Sequence, residues 1–205
     1  MLFLVFGSSG AGKTAALNAF RGRVRDLAVH DFDEIGVPPH PTRLWRHRGN
    51  EQWVRRALAY QAQGVDLLLA GQTPLGELLA TPSARLLDGI AACLIDCDDA
   101  TRAERLGARG VEWFDRHDAA LHDYLSWAEW MRQHASDPCA RQEVIVANDG
   151  APDMQWERWV DWSADDPRWC VHVIDTTSVP VEHVADEVAA WIERERRTPV
   201  NPLRA

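Results

Sequence analysis

One short stretch, GSSGAGKT, carries residue types at a spacing that suits the binding of phosphate groups. It fits the pattern G-x-x-x-x-G-K-[ST]. Glycines at these positions permit backbone angles that turn successive N–H groups toward an anion. Lys13 can reach the β- and γ-phosphates of a nucleoside triphosphate, and the hydroxyl of Thr14 can bind Mg²⁺. The sequence therefore predicts a phosphate-binding loop (P-loop) that consists of Gly7, Ser8, Ser9, Gly10, Ala11, Gly12, Lys13 and Thr14.

The surroundings of this loop strengthen the match. An apolar run, Leu2 to Phe6, precedes it and a helix-like run, Ala15 to Arg21, follows it, which is the context that the motif needs. Lys13 is also the one lysine among 22 basic residues, since all the others are arginine. A chain that otherwise uses arginine keeps a compact ammonium here, where a planar guanidinium would not fit.

Two carboxylates close the second predicted strand. Asp31 and Asp33 are two residues apart, and in an extended segment their side chains point the same way. Because strand ends line the crevice of an open α/β sheet, one carboxylate can lie near a metal ion while the other reaches an acceptor hydroxyl. The alternative is that both residues cap a turn. The third predicted strand runs into Gly71 and Gln72, so it offers no acid there.

A group of three arginines follows the fourth predicted strand. Arg102, Arg105 and Arg109 are spaced i, i+3 and i+7, so a helix would place them on one face. Such a face can compensate the charge of phosphate groups. It can also be an ordinary solvated surface.

A second basic group lies in a proline-rich segment, Ile35 to Asn50, which reads as a loop. Its arginines Arg43, Arg46 and Arg48 can bind an anionic acceptor molecule, or they form an exposed cluster. Gln72 is a candidate for hydrogen bonds to the acceptor.

Strand-like and helix-like segments alternate along the chain. Strands are predicted at Leu2 to Phe6, Leu27 to Asp31, Val65 to Ala70, Ile90 to Ile95 and Val171 to Ile174. Helices are predicted from Ala15 to about Gly22, and at Glu51 to Gln63, Leu75 to Ala80, Ala100 to Ala108 and Val181 to Arg196. This alternation implies a parallel sheet in an α/β fold. The end of the chain, from Thr198, reads as a frayed tail.

Several of these features together resemble one group of P-loop kinases. A GxxGxGKT loop, an Asp-x-Asp that begins 18 residues after Lys13, and a glycine in place of an acid after the third strand are similar to the shikimate kinase and gluconate kinase group. The arginine helix after the fourth strand fits the same group. The resemblance implies a three-layer α/β fold with a five-stranded parallel sheet ordered 2-3-1-4-5 and a mobile lid after strand four. It also implies ATP and Mg²⁺ as cofactors.

The resemblance implies roles for individual residues as well. Asp31 would lie near Mg²⁺ together with Thr14, and Asp33 would hold the acceptor hydroxyl. Contacts with ATP would come from Lys13, Arg102, Arg105, Arg109, Thr176 and Thr177, of which Lys13, Arg105 and Arg109, with Asp33, would act in catalysis. The sequence departs from shikimate kinases where Gly-Gln-Thr-Pro replaces a glycine triplet after strand three, so we expect an acceptor other than shikimate.

Residues 111–169 interrupt the alternation and are longer than a simple lid. They hold seven of the ten tryptophans, among them Trp113, and predict two or three helices without a strand, at about 115–135, 138–147 and 152–162. We favour an interpretation in which these large rings pack the segment itself, although a ring can also stack on a sugar or a base. The segment can be a lid, part of the acceptor site or the interface of a homodimer, within one domain that covers residues 1–205.

Composition excludes several classes of protein. The net charge of −9 shows no basic stripe, which makes a polymeric nucleic acid a disfavoured partner. The four cysteines form no CxxC pair and no zinc spacing. The apolar start of the chain is too short for a signal peptide or a membrane span, so we expect a cytoplasmic protein.

Three functions fit these observations. The favoured one is an ATP-dependent kinase of a small hydroxylated metabolite, sugar or natural product. The second is a nucleoside, nucleotide or polynucleotide-end kinase, because a tryptophan could stack a base. The third is an ATPase or nucleotide switch without transfer, which lacks support because strand three offers no acid to arrange a water molecule.

Overall fold

The protein is built around a parallel sheet of five strands. The computed structural model describes residues 1–109, 118–147 and 149–204. The strands are β1 (Leu2–Phe6), β2 (Leu27–Asp31), β3 (Asp66–Gly71), β4 (Ile90–Asp96) and β5 (Val171–Asp175). Their order is β2-β3-β1-β4-β5, and all four pairings are parallel. The predicted fold class and strand order are confirmed.

The central strand β1 supplies side chains to a core on each face of the sheet. Leu2, Leu4 and Phe6 belong to one buried cluster, whereas Phe3 and Val5 belong to the other. This alternation is the two-residue period of a strand. Because both faces are covered, β1 is apolar at every position, which is why it could be recognised in the sequence.

Helices cover both faces of the sheet and make three layers. They are α1 (Lys13–Phe20), α2 (Arg43–Gln61), α3 (Leu75–Leu79), α4 (Asp99–Gly107), α5 (Asp118–Ser136) and α6 (Val181–Arg196). On one face α1 packs against α6, where the ring of Trp191 meets Phe3 edge to face at 5.5 Å. On the other face α2, α3 and α5 contribute Trp53, Leu78 and Met131 to the core.

The prediction of a loop as far as Asn50 is wrong, because α2 already begins at Arg43. The Thr42 hydroxyl accepts a hydrogen bond of 3.2 Å from the backbone N–H of Trp45, which satisfies one of the free donors of the first turn. The proline-rich part of the loop therefore stops at Thr42, the residue that caps the helix. Arg43 and Arg46 therefore project from a helix.

In the tryptophan-rich segment one predicted helix forms and two do not. The first is α5, while its predicted start and Trp113 lie outside the described residues. The helices predicted at 138–147 and 152–162 are wrong, since only short 3₁₀ turns occur, at Gln142–Val144 and Trp156–Arg158. Local backbone hydrogen bonds there form single turns, and two contacts tie the segment to other elements. Ala151 donates to His47 at 3.1 Å, and Gln155 donates to the Ala80 carbonyl at 2.7 Å.

The tryptophans of this segment surround a buried histidine. The His134 ring stacks on Trp130 at 4.7 Å and meets Trp169 at 4.9 Å and Trp159 at 5.5 Å. Neither ring nitrogen of His134 has a hydrogen-bond partner among the described residues. Burial lowers the pKa of His134 to about 4. These contacts support the interpretation that the large rings pack the segment itself.

The end of the chain is docked, so the prediction of a frayed tail is wrong. The buried side chain of Asn201 donates hydrogen bonds to the carbonyls of Ala84 at 3.1 Å and Leu87 at 2.7 Å. The backbone of Ile90 donates to Val200 at 2.9 Å. The tail therefore packs beside the start of β4.

The buried His134 predicts a specific dependence of stability on pH. In the unfolded chain this histidine takes up a proton below its ordinary pKa of 6.5, whereas in the folded protein it stays neutral down to about 4. The free energy of unfolding should therefore decrease as the pH is lowered, by about 2 kcal/mol from pH 7.5 to pH 5 for this one group. Urea unfolding of the wild type and of His134→Phe, which keeps the stacked ring, measures that contribution.

The control is His122→Phe, because His122 is exposed on the same helix. We expect His134→Phe to remove a part of the pH dependence that His122→Phe leaves in place. Equal pH profiles for the two variants would contradict the assignment.

Candidate functional site

The P-loop joins β1 to α1 in a conformation that glycine makes possible. Gly10 and Gly12 have φ angles of 81° and 93°, which side chains other than glycine rarely adopt. A Cβ atom at Gly7 would collide with the carbonyl oxygen of Ile95. Helix α1 begins at Lys13, directly after the loop, so its positive end lies at the same place. The backbone therefore fits a bound phosphate group.

Lys13 is held against this loop by its own backbone. Its Nζ donates to the carbonyls of Gly7 at 2.8 Å and Ser8 at 3.0 Å. An ammonium has three donors, so one stays available. Burial lowers the pKa of Lys13 to about 8, partly offset by the charge of Asp31. Since the charged form binds phosphate, affinity for an anion should weaken as the pH rises through that value.

A cavity of about 740 Å³ opens beside the loop. It gathers most of the residues that the sequence proposed for the site. Those lining it are Ser9, Gly10, Gly12, Lys13, Thr14, Asp31, Asp33, Arg43, Arg46, Gln72 and Arg109. The loop, the carboxylate pair and the proposed acceptor residues thus share one space.

The carboxylate pair has a different geometry from the one expected. Asp33 is not in an extended segment but in a 3₁₀ turn, Phe32–Ile35, whose N-terminus is capped by Asp31. The Asp31 Oδ1 atom accepts a 3.0 Å hydrogen bond from the backbone of Asp33. Burial and the neighbouring Asp31 charge both raise the pKa of Asp33. Asp31 can therefore cap the turn and also bind a ligand, because only one of its carboxylate oxygens is used by the cap.

Arg43 is part of the cavity wall. Its Nε lies 3.3 Å from the carboxylate of Asp149, while its Nη1 is buried and has no hydrogen-bond partner in the described structure. A ligand in the cavity would lie beside this residue, whose positive charge attracts an anionic group. Arg43 is therefore well placed as an acceptor-binding residue.

Arg46 lines the same wall, but its guanidinium is already used. It donates to both carboxylate oxygens of the buried Glu77, from Nε at 2.8 Å and from Nη2 at 2.5 Å. Asn50 also donates to Glu77, at 3.3 Å, and accepts from Thr73 at 2.8 Å. Burial alone would raise the pKa of Glu77, yet the Arg46 charge holds it below its usual range. The structure thus makes Arg46 a fixed part of the wall rather than a free anion ligand.

The three arginines after β4 all lie near the P-loop, but they differ in burial and in partners. Arg102 is fully buried beneath the P-loop, where it donates to the Ser9 carbonyl at 2.6 Å and pairs with Asp96. Arg105 donates to the hydroxyl of Thr176 at 2.9 Å and to its carbonyl at 2.8 Å. Only Arg109, beyond the end of α4, lines the cavity.

Thr176 and Thr177 also bond to the protein itself. The Thr176 hydroxyl lies 2.9 Å from the Ala11 carbonyl of the P-loop. The Thr177 hydroxyl accepts a 2.8 Å hydrogen bond from the backbone of Asp98. Both residues therefore support the loop and α4, and neither lines the cavity.

Sequence reasoning missed several residues of the cavity wall. Trp45 comes from α2, and Asp123, Tyr124 and Trp127 come from α5. The tryptophan content marked this part of the chain, but no motif indicated which ring faces the loop. The Ser8 hydroxyl donates to the Tyr124 carbonyl at 3.0 Å, and that contact brings α5 to the site.

Two further observations concern metal ions and membranes. Across residues 1–109, 118–147 and 149–204, no three His, Cys, Asp or Glu side chains form a metal-binding group. Over the same ranges, no helix is long and apolar enough to cross a bilayer.

A solved structure shares this architecture. A sugar kinase from Janibacter sp. HTCC2649 is 15% identical and aligns over 97% of this chain and 98% of its own, with a TM-score of 0.59. This chain shares the fold of that protein. An uncharacterized protein from Eubacterium ventriosum ATCC 27560 is 12% identical over 94% of this chain and 98% of its own, with a TM-score of 0.48. A chain of the Pnkp1/Rnl/Hen1 RNA repair complex is 12% identical over 64% of this chain and 45% of its own, with a TM-score of 0.47.

Comparisons of sequence add no family. Neither a scan against protein-family models nor a search of the curated proteins returned a match. The likeness in structure therefore establishes the fold alone.

The positions of Arg102 and Arg109 predict that substitutions at these two residues differ in their effect on stability. Arg102→Met removes a partner of Asp96 and the support of the Ser9 carbonyl, so the free energy of unfolding should fall by about 3 kcal/mol. Arg109→Met changes an exposed residue and should shift stability by no more than about 0.5 kcal/mol. Urea unfolding of both variants is the measurement. Equal stabilities would show that Arg102 does not hold the loop.

Proposed function

We propose that the protein is an ATP-dependent kinase that transfers the γ-phosphoryl group of ATP to a hydroxyl group of a small molecule. The observation that carries this proposal is the shared cavity, in which Lys13 and Thr14 of the P-loop lie together with Asp31 and Asp33. A P-loop alone serves many nucleotide-binding proteins. A carboxylate in the same space adds what transfer to a hydroxyl requires.

The nucleotide phosphates are assigned to the P-loop. Its backbone N–H groups and Lys13 would hold the phosphates, and the loop glycines let the backbone approach them closely. Thr14 and Asp31 are the residues that would hold Mg²⁺, which supplies charge compensation on the phosphates when bound. Asp31 can do so with the oxygen that is free of its capping hydrogen bond.

Asp33 is assigned to the acceptor hydroxyl. Its raised pKa brings it closer to the range in which a carboxylate accepts a proton effectively at neutral pH. Arg109 lines the same cavity and can compensate negative charge near the phosphates. Arg105 keeps a supporting role in this scheme, because its guanidinium bonds to Thr176.

The wall from α2 and α5 indicates what kind of acceptor fits. The guanidinium of Arg43, a lining residue, favours an acceptor that carries an acidic group or a carbonyl oxygen. Trp45 and Trp127 offer flat apolar surfaces to a ring. We therefore propose that the phosphoryl acceptor is a cyclic alcohol with an oxygen-rich substituent. A sugar kinase of the same fold is a precedent for a hydroxyl acceptor.

A nucleoside kinase is the second candidate. The two tryptophans of the wall favour it, since a base could stack on Trp45 or Trp127. A switch without transfer has less support, because β3 ends at Gly71 and is followed by Gln72, with no acid to arrange a water molecule.

Transfer itself can be tested with pools of acceptors. The protein, incubated with ATP·Mg²⁺ and pools of sugars, cyclic hydroxy acids and nucleosides, should yield a product heavier by one phosphoryl group in mass spectrometry. Arg43→Gln should raise the KM of that acceptor about tenfold or more without changing the KM for ATP, since a charge-assisted hydrogen bond is lost. Rapid hydrolysis of ATP with no phosphorylated acceptor in any pool would favour the ATPase instead.

The roles of Lys13 and Asp33 can be separated by three substitutions. Lys13→Ala should weaken ATP binding and abolish turnover, and Lys13→Arg should be nearly as damaging because a planar fork does not fit this place. Asp33→Asn should keep ATP affinity and lower turnover about 10²-fold. Calorimetry with ATP·Mg²⁺ and steady-state turnover are the measurements.

The matched control is Asp153→Asn, an exposed residue outside the cavity. It should preserve both quantities. If Asp33→Asn weakened ATP·Mg²⁺ binding as much as Lys13→Ala does, Asp33 rather than Asp31 would be the residue at the metal. Unchanged turnover would remove Asp33 from the reaction.

A further inference from the structure

A second, smaller cavity lies at the other end of the sheet from the P-loop, where β4 begins. It has a volume of about 230 Å³, and we call it the basic cavity. Its lining residues are Arg85, Arg158, Trp162, Arg168, Pro202 and Leu203. Arg85 belongs to a 3₁₀ turn that precedes β4, whereas the P-loop follows the other end of the neighbouring β1. The five residues of β1 separate these two ends of the sheet by roughly 15 Å.

The charge of the basic cavity is only partly compensated. Arg168 forms an ion pair of 2.7 Å with Asp166. Arg85 and Arg158 have no carboxylate partner within 4.0 Å in the described part of the chain. Burial lowers the pKa of Arg158 and the neighbouring Arg85 charge acts in the same direction, against Glu157. Two positive charges that no neighbouring carboxylate compensates favour the binding of an anion in this cavity.

Two of the three guanidinium groups are already fixed in place. Arg158 donates to the carbonyls of Leu79 at 3.2 Å, Thr81 at 2.6 Å and Pro82 at 3.1 Å. Arg168 is held by Asp166 and lies over the ring of Trp162, 4.2 Å from its centre. An anion that binds here would therefore order few side chains, which is a condition for useful affinity.

The docked tail completes the cavity. Asn201 fixes the tail to the turn that carries Arg85, through the carbonyls of Ala84 and Leu87. Arg204 donates to the Arg85 carbonyl at 2.7 Å. Pro202, next to Asn201, is part of the wall. The cavity is thus assembled from segments that are distant in sequence and held together by hydrogen bonds.

We propose that the basic cavity binds a small phosphorylated anion, such as a phosphate monoester or pyrophosphate, at a site separate from the P-loop. Guanidinium groups match phosphate oxygens in geometry and charge. The volume lies below the roughly 300–1,000 Å³ typical of sites for larger organic ligands, which favours a compact anion. A doubly charged phosphate can compensate the charges of both Arg85 and Arg158, whereas a single carboxylate would leave one of them uncompensated.

The test needs a reporter for each cavity, because pyrophosphate also fits the P-loop. Labelling with 5-fluorotryptophan supplies both, since Trp162 lines the basic cavity and Trp127 lines the larger one. The ¹⁹F resonances are assigned with Trp162→Phe and Trp127→Phe. Titration with pyrophosphate, without metal and at constant ionic strength, should shift the Trp162 resonance along a saturable curve. The Trp127 resonance reports the P-loop independently.

Arg85→Gln is the decisive variant. The Arg85 side chain is exposed and makes no hydrogen bond in the described structure, so its loss should leave the fold intact. It should weaken the Trp162 response about tenfold and leave the Trp127 response unchanged. Arg194→Gln is the matched control, with the same change of charge at an exposed place on α6, and should behave as the wild type.

Two results would overturn the proposal. One is a Trp162 resonance that stays in place up to about 10 mM pyrophosphate, where even a site with millimolar affinity would be filled. The other is an Arg85→Gln protein with the wild-type Trp162 response. Arg168→Gln gives a second check, because it removes a cavity charge without touching the carbonyls that Arg158 holds.

Discussion

A buried ion pair between Arg102 and Asp96 holds the parts of the site together. Arg102 is fully buried under the P-loop and bonds to the Ser9 carbonyl, while Asp96 ends β4. The second oxygen of Asp96 pairs with Arg132 of α5 at 2.7 Å. One carboxylate therefore joins the loop, the sheet and the helix that lines the cavity. Because removing a partner from a buried pair is costly, the position of the loop is tied to that of α5.

Helix α5 serves the core at one end and the site at the other. Trp127, Trp130 and His134 are spaced so that they lie on one side of the helix. Trp127 stacks on Trp130 at 4.7 Å, and Trp130 stacks on His134 at the same distance. A continuous row of rings thus runs from the cavity wall to the centre of the tryptophan cluster. The same packing that stabilises the segment also places a flat surface where an acceptor would bind.

The parts that could be predicted from the sequence depend on neighbours in the chain. The continuous apolar run of β1, the glycines of the loop and the position of Asp31 at the end of β2 are all local signals. The start of α2 was missed because the proline-rich segment masked the capping role of Thr42. The roles of Arg46 and Arg102 depend on partners that no spacing rule indicates. Glu77 is 31 residues from Arg46, and Ser9 is 93 residues from Arg102. Side chains that look alike in sequence therefore differ in use, because tertiary contacts decide which guanidinium groups remain free.

Because the sequence holds a single lysine, its ε-amine can be modified selectively. With a pKa of about 8, the Lys13 amine is half unprotonated near that pH, whereas an ordinary exposed lysine is almost fully protonated there. A neutral amine keeps two N–H donors for the carbonyls of Gly7 and Ser8, so its lone pair becomes available as a nucleophile. Reagents that acylate ε-amines thus have one target in the whole chain, and that target lies in the P-loop. An acyl group on Lys13 would block the proposed phosphate site.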